Sequence, residues 1–397
     1  MLTVSGTIAN MEKYIPQWRT LLILWLGWYL ALMSFQQINW ARFRAERPDN
    51  GYGWVAGLTG GELDDPSTGA WFYARWDSYR YVRIAQDGYE DPRLATFFPG
   101  YPLMMRIMDR GVLAWVMDED DQDSRMALAG VLVSAMTSLV ALGGMVTLAR
   151  DRLGDDALAW RAGFYLLIFP TAMFMVQIYT ESAYLALSLW GLVFAYRKQW
   201  WLAGALSVAA TLTRPTGLFL FFPLFTIWLD HWWRGERLSW WVWAAILAPV
   251  VTFFGFNNLL AANGIDTFQA QQDFGRYLFH PYAVLAFFQQ LGWMAVHPNG
   301  LIHVGFDLLF TLFATVMCLL EWNRHSGLAL YGLAATYVSL TTGQLVSQNR
   351  YVLIVIPIFF VAARWGKHPS VDRVWTVVSL LLLTLHLIQF TQGLWTG

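Results

Sequence analysis

Apolar residues run along this chain in long unbroken blocks, separated by short polar connections. A membrane-spanning helix needs roughly 20 mostly apolar residues, and a sliding window finds about eleven such blocks. They lie near 20–39, 126–149, 158–178, 181–196, 199–213, 215–230, 239–260, 301–320, 327–345, 350–364 and 371–394. A β-barrel would alternate apolar and polar positions over short segments; these blocks are continuous. Backbone groups in lipid must be paired within the element, so the pattern predicts an all-α polytopic membrane protein. The pair 199–213 and 215–230 is interrupted at Arg214-Pro215 and fits either two short spans or one broken helix.

Two polar stretches break the pattern. The longer, about 40–125, separates the first two blocks; the shorter covers about 261–300. Within the longer one, the part through Gly69 is rich in Gly, Asp and Pro, residues 78–87 read as a helix with a stop at Gly88, and 98–116 reads as an apolar interfacial helix. No repeat divides the chain, so 1–397 is taken as one integral-membrane domain.

Basic residues set the orientation. Arg150, Arg152, Arg161, Arg197, Lys198, Arg234, Arg237, Arg324, Arg364, Lys367 and Arg373 all fall in short connections. With eleven spans they share a side with Lys13 and Arg19. The N-terminus is then cytoplasmic, and both polar stretches are extracytoplasmic. The first block, about 21–38, is too long for the apolar core of a signal peptide and reads as an uncleaved first helix.

Composition sharpens this picture. The chain is 57% hydrophobic and 13% charged with a formal net charge of −1, which suggests no nucleic-acid partner. The single cysteine, Cys318, excludes an intrachain disulfide and a cysteine zinc site. The 23 tryptophans suit membrane interfaces. Where charge is scarce it tends to serve function, and the most informative such cluster, an acid and cations beside aromatic residues, is Arg75-Trp76-Asp77-Ser78-Tyr79-Arg80-Tyr81. Asp77 has two compatible readings: an N-cap for the helix that follows, or a general base kept ionised by Arg75, Arg80 and Arg83. Glu181 fits a helix-start acid as well as a sugar-hydroxyl or acceptor contact. Arg214 fits an anionic partner such as phosphate. Gln272 and Arg276, and Arg350 and Tyr351, add cations on the face of Asp77. The run Asp118-Glu119-Asp120-Asp121-Gln122-Asp123 reads as a solvated turn, and His280, His297 and His303 match no helical metal-ligand spacing.

These patches resemble the PIG-V family, the GPI mannosyltransferase II type, and its bacterial relatives. The resemblance runs in order through Arg75-Trp76-Asp77, Ile84-Ala85 with Gly88-Tyr89, and Phe97-Phe98-Pro99 with Tyr101-Pro102. It continues in Tyr179-Thr180-Glu181-Ser182, Thr213-Arg214-Pro215-Thr216-Gly217, Gly275-Arg276, and Arg350-Tyr351-Val352-Leu353 with Pro357. The chain departs at Gly100, where the family pattern has Leu or Ile. The resemblance implies a GT-C glycosyltransferase of about 11 transmembrane helices, with interfacial helices in a long first extracytoplasmic segment and the key acid at Asp77. It further implies a polyprenyl-phosphate sugar donor, most simply a mannosyl one, and a lipid or glycan acceptor at the outer face of a bacterial plasma membrane. Arg75, Trp76, Arg80, Tyr81, Glu181, Arg214, Gln272, Arg276, Arg350 and Tyr351 become candidate substrate-binding residues. No metal is expected, because a lipid phosphate leaving as a monoester needs less neutralisation than a pyrophosphate. Other readings are a GT-C enzyme for arabinose, glucose or galacturonate, a lipid or glycan transporter, and a non-catalytic membrane subunit.

Overall fold

The computed structural model describes residues 17–43, 69–117, 122–273, 275–277, 281–296, 298–343 and 347–396. Lys13, most of the Gly, Asp and Pro-rich stretch before Gly69, the acids Asp118, Glu119, Asp120 and Asp121, the histidines His280 and His297, and the side chain of His303 lie outside the described residues. Among the described residues all regular elements are helical.

Five helices are long and apolar enough to cross a membrane: α1 (Trp18–Arg42), α4 (Gln122–Leu153), α9 (Val242–Ala262), the Val304–Glu321 part of α12 (Pro298–Glu321), and α16 (Pro369–Thr391). Three shorter apolar helices accompany them: α7 (Trp200–Thr213), α13 (Ser326–Leu340) and α15 (Ile356–Trp365). Helix α4 is the mast of the bundle. Its most apolar window is 67% buried, against 22% for α1 and 28% for α9, so the outer helices leave their apolar faces to lipid. Small residues let helices close on it. A Cβ on Gly144 would meet Leu189 Cβ at 2.9 Å on α6 (Glu181–Tyr196), and one on Gly163 of α5 (Asp156–Leu167) would meet Val146 Cγ2 at 2.5 Å.

Three of the apolar blocks are broken. The block 158–178 is not a continuous span: α5 stops at Leu167, Pro170 follows, and a 3-10 turn covers Ala172–Met175. Proline offers no N–H and disfavours helix at the residue before it. The block 215–230 becomes a 3-10 turn, Pro215–Leu220, followed by α8 (Phe221–Trp233). The chain reverses at this point, because Lys198, just before α7, reaches Glu236, just after α8, at 2.6 Å. Two antiparallel segments therefore replace the alternative of one broken helix. The block 350–364 divides into a single turn, α14 (Gln348–Tyr351), a 3-10 turn and α15.

The polar stretches are more helical than their composition implies. The first carries α2 (Ser78–Asp87), which stops at Gly88 (φ 80°), and α3 (Gly100–Gly111), followed by a 3-10 turn at Leu113–Trp115. Helix α3 is amphipathic: Tyr101 and Met105 are buried while Leu103 and Ile107 are exposed. The second stretch forms α10 (Thr267–Asp273) and α11 (Pro281–Val296). Helix α11 has 16 residues, too few to register as a span.

The connections rich in arginine and lysine gather at one end of the bundle. There Arg197 pairs with Asp151 at 3.0 Å, Lys367 with Asp155 at 3.2 Å, and Arg161 with Asp372 at 3.5 Å. Helix α4 runs from that end to the other, where Ser124 accepts a hydrogen bond from Trp71 Nε1 at 3.1 Å. The segment bearing Asp77 is therefore at the end opposite the basic connections.

Candidate active site

The chain enters α2 through a tight turn that is braced from inside. Arg75 is fully buried and folds back on its own backbone, donating through Nη1 to the carbonyls of Trp71 (2.9 Å) and Ala74 (2.6 Å). The Tyr179 hydroxyl donates to the Arg75 carbonyl at 3.0 Å. Trp76 adopts a left-handed φ of 54° and packs edge-on to Trp395 at 4.8 Å. Tyr81, buried one turn along α2, meets Phe97, Tyr101 and Tyr179 edge-on. Arg75, Trp76 and Tyr81 thus form the support beneath Asp77.

Asp77 precedes α2 in a helical conformation (φ −64°, ψ −20°), and its side chain caps no amide. This corrects the N-cap reading. The carboxylate instead takes two guanidinium hydrogen bonds: Arg80 Nη1 to Oδ1 at 2.5 Å and Arg350 Nη1 to Oδ2 at 3.1 Å. Charge-assisted bonds of this kind are roughly twice as strong as neutral ones, which explains why they displace the cap. Burial pushes the carboxyl up, but Arg350, Arg80 and Arg276 outweigh it and hold Asp77 below the usual carboxylate range. Its side chain keeps 16% exposure, so the carboxylate is ionised and reachable.

From Arg350 the network runs inward. Arg350 Nε lies 3.3 Å from Glu181 Oε1, and the same oxygen takes Arg214 Nη1 at 2.5 Å. Arg214 also donates to Thr180 Oγ1 at 3.1 Å. Charges therefore alternate from Arg80 to Asp77, Arg350, Glu181 and Arg214. Tyr351 sits against this line: the guanidinium carbons of Arg214 and Arg350 stand 5.4 and 5.1 Å from its ring centre. Its hydroxyl accepts hydrogen bonds of 3.4 Å from both Arg276 and Arg350. Arg350 is further framed by the rings of Phe174 and Tyr179, at 5.5 and 5.1 Å.

The structure brings together Asp77, Arg80, Glu181, Arg214, Arg276, Arg350 and Tyr351 from five separate parts of the chain. Gln272 lies apart, exposed near the end of α10, with its carbonyl accepting the Gly275 N–H at 2.7 Å. Glu181 is fully buried behind the two arginines, so it balances them from within.

Two glycines explain how the segments approach so closely. A Cβ on Gly217 would lie 2.4 Å from Thr211 Cα, so the turn after Arg214 folds back only on glycine. A Cβ on Gly100 would lie 2.7 Å from Thr213 Oγ1 and 2.8 Å from Leu212 O. The departure from the family pattern at Gly100 thus sits where α3 presses on the end of α7. Sequence reasoning passed over Asp307, which is 5% exposed within α12 and accepts the Asn349 N–H at 3.0 Å through Oδ1. An isolated acid inside the apolar block 301–320 was the available signal. Among the described residues no group of three or more His, Cys, Asp or Glu is arranged to hold a metal.

Comparisons with known proteins cover part of this site. The family model "Mannosyltransferase (PIG-V)" matches residues 66–231, a segment containing Asp77, Glu181 and Arg214. GPI mannosyltransferase 2 of Cryptococcus neoformans is 29% identical over 146 residues, covering 36% of this chain and 34% of that protein. GPI alpha-1,6-mannosyltransferase 2 of Cricetulus griseus is 27% identical over 145 residues, covering 36% and 29%. The chain thus aligns with about a third of the length of these curated relatives. Among solved structures, an oligosaccharyltransferase of Archaeoglobus fulgidus aligns with a TM-score of 0.44 and 13% identity over 94% of this chain and 53% of that one. Over the matched segment, which is less than half of its length, the chain resembles the PIG-V mannosyltransferases.

Proposed function

We propose that the protein transfers a sugar from a polyprenyl-phosphate-linked donor to a hydroxyl of a lipid or glycan acceptor, at the end of the bundle that carries Asp77. One observation carries this reading: an ionised, reachable carboxylate set among an excess of cations. Asp77 and Glu181 face Arg80, Arg214, Arg276 and Arg350, leaving positive charge for an anionic substrate group. Arginine forks suit a phosphate.

In this mechanism Asp77 accepts the proton of the acceptor hydroxyl. The acceptor oxygen forms a bond to the anomeric carbon as the bond from that carbon to the phosphate oxygen breaks. The electron pair leaves with the lipid phosphate, and attack from the opposite face inverts the anomeric centre. Arg350 and Arg276, with Arg214 behind them, stabilise the charge growing on the departing phosphate. Mannose is the proposed sugar, supported by the names of the matched relatives. We place the site on the extracytoplasmic face of a bacterial plasma membrane, with the basic connections and the N-terminus in the cytoplasm. On this reading the chain is a single domain with about eleven spans, counted by window hydropathy.

The test is transfer by purified protein in lipid nanodiscs, offered radiolabelled polyprenyl-phosphate sugars with membrane extract as acceptor. Label leaving the mannosyl donor only when Asp77 is intact supports the reading. Retained transfer in Asp77→Asn removes Asp77 as the base. No transfer from any donor by folded protein overturns the enzyme.

A further inference from the structure

We infer that Asp307 is a positioning residue of this site: from α12 it caps the single turn that carries Arg350 and so aims that guanidinium at Asp77 and Glu181. The inference rests on reading Asp77 and Arg350 as working partners, and it assigns a task to a buried acid that the proposed chemistry does not use.

Arg350 is the only described side chain paired with both acids of the site, through Nη1 to Asp77 and Nε to Glu181. Yet the element that bears it is small. Helix α14 has four residues, too few to hold its own shape. It begins at Ser347 in a left-handed conformation (φ 66°), which a non-glycine residue adopts at a cost, and Ser347 supplies no side-chain cap. The turn therefore depends on its neighbours. Asp307 Oδ1 takes the Asn349 N–H at 3.0 Å. Asn349 then spreads the anchor: Oδ1 takes the Arg350 N–H at 2.6 Å, Nδ2 donates to the Thr396 carbonyl at 2.9 Å, and the Asn349 carbonyl accepts Thr171 Oγ1 at 3.0 Å. A carboxylate at a first-turn amide matches the preference of helix N-termini for negative charge, supplied here by another helix.

The direction of one measurable effect separates positioning from simple electrostatics. Asp77 is faced by Arg80 and Tyr81 from α2, by Arg350 and Tyr351 from α14, by Tyr179 and Glu181 at the start of α6, and by Arg276 after α10. Any charge that Asp307 carries has the same sign as that of Asp77, so removing it could only make Asp77 more acidic. Loss of the Arg350 contact makes it less acidic, because an adjacent guanidinium lowers an Asp pKa by about 1–3 pH units.

The experiment follows labelling of Asp77 by dicyclohexylcarbodiimide, which reacts with the protonated carboxyl. Its rate is read by mass spectrometry at about pH 5.5, in protein shown to be monodisperse and folded. Well above the pKa, each pH unit by which that pKa rises increases the protonated fraction, and hence the rate, about tenfold. We expect Asp307→Ala to label about tenfold faster than wild type or more. Asp307→Asn, which keeps a carbonyl acceptor, should stay near or below the wild-type rate. Arg350→Ala should label at least as fast as Asp307→Ala, and the double variant no faster than Arg350→Ala alone. An unchanged or slower rate in Asp307→Ala overturns the inference, as does a double variant whose rate multiplies the two single effects. Should Asp307→Ala not fold, Asp307→Glu decides: it keeps the charge but displaces the acceptor, and an unchanged rate there overturns the inference equally. No donor is needed, so failure here is distinct from failure of the transferase reading, which the transfer assay judges.

Discussion

At one end of the bundle Glu181 is fully buried between Arg214 and Arg350; at the other Glu321 is fully buried between Arg364 and His325. The raw material is the same and the degree of closure is not. Glu321 has both oxygens engaged, Oε1 with His325 Nδ1 at 2.5 Å and Oε2 with Arg364. Arg152 donates to His325 Nε2 at 3.3 Å, which leaves Nδ1 to carry the ring hydrogen and donate to Glu321. This cluster ties α4, α12, α13 and α15 together and closes on itself. Around Glu181, Asp77 stays partly exposed, and Glu181 Oε2 has no hydrogen-bond partner among the described residues. A cluster whose acid has both oxygens engaged serves the fold; on the proposed reading, one that keeps an exposed carboxylate and an unengaged acid oxygen serves a ligand.

Substitutions test this contrast from both ends. The largest expected effect is at Asp77: Asp77→Asn lowers transfer roughly 10²–10⁴-fold, the usual worth of a general base, with the unfolding transition in detergent nearly unmoved. At the closed cluster the outcome reverses. Glu321→Ala strands Arg364 and His325 and costs about 3–5 kcal/mol of stability, read by unfolding titration, while the folded fraction transfers sugar at the wild-type rate. A large fall in rate per folded molecule would erase the distinction between the two ends.

Arg350→Ala should lower transfer about 10²–10³-fold and also change the pH dependence. The base must be ionised to work, and in the native protein Asp77 is held below the usual carboxylate range. The wild-type rate therefore persists on the acid side into that range, and its acid limb moves to higher pH once Arg350 is gone. A pH–rate profile with an unmoved limb would mean that Arg350 does not govern Asp77. The smallest effect concerns the fold-back behind Arg214. Gly217→Ala drives a methyl group into Thr211 and should cost about 1–3 kcal/mol, as overpacking does; stability equal to wild type would show that the turn relaxes freely.

Much of this was legible from the chain. The apolar blocks gave the helices, and α6 spans Glu181–Tyr196, the block read as 181–196. The Gly88 stop of α2 was also readable, because only the backbone of that one residue decides it. Breaks within blocks were harder. Apolar content is the same on both sides of Pro170 and Pro215, so hydropathy runs through the points where the backbone turns. Helix α11 was missed for a related reason, since a short apolar helix lies below the length that hydropathy can separate from a connection.

The sequence by itself determined the class of protein and singled out the charged residues on which the proposed chemistry rests, because the expense of burying charge in lipid leaves few places for it. Only the tertiary structure decided which charges meet. Whether Asp77 caps a helix or faces a guanidinium, whether Glu181 contacts ligand or balances two arginines, and that Asp307 holds the turn under Arg350 depend on partners 33 to 273 residues apart. Electrostatic and hydrogen-bond energies depend on distances of a few ångströms, and those distances exist only once the helices have packed.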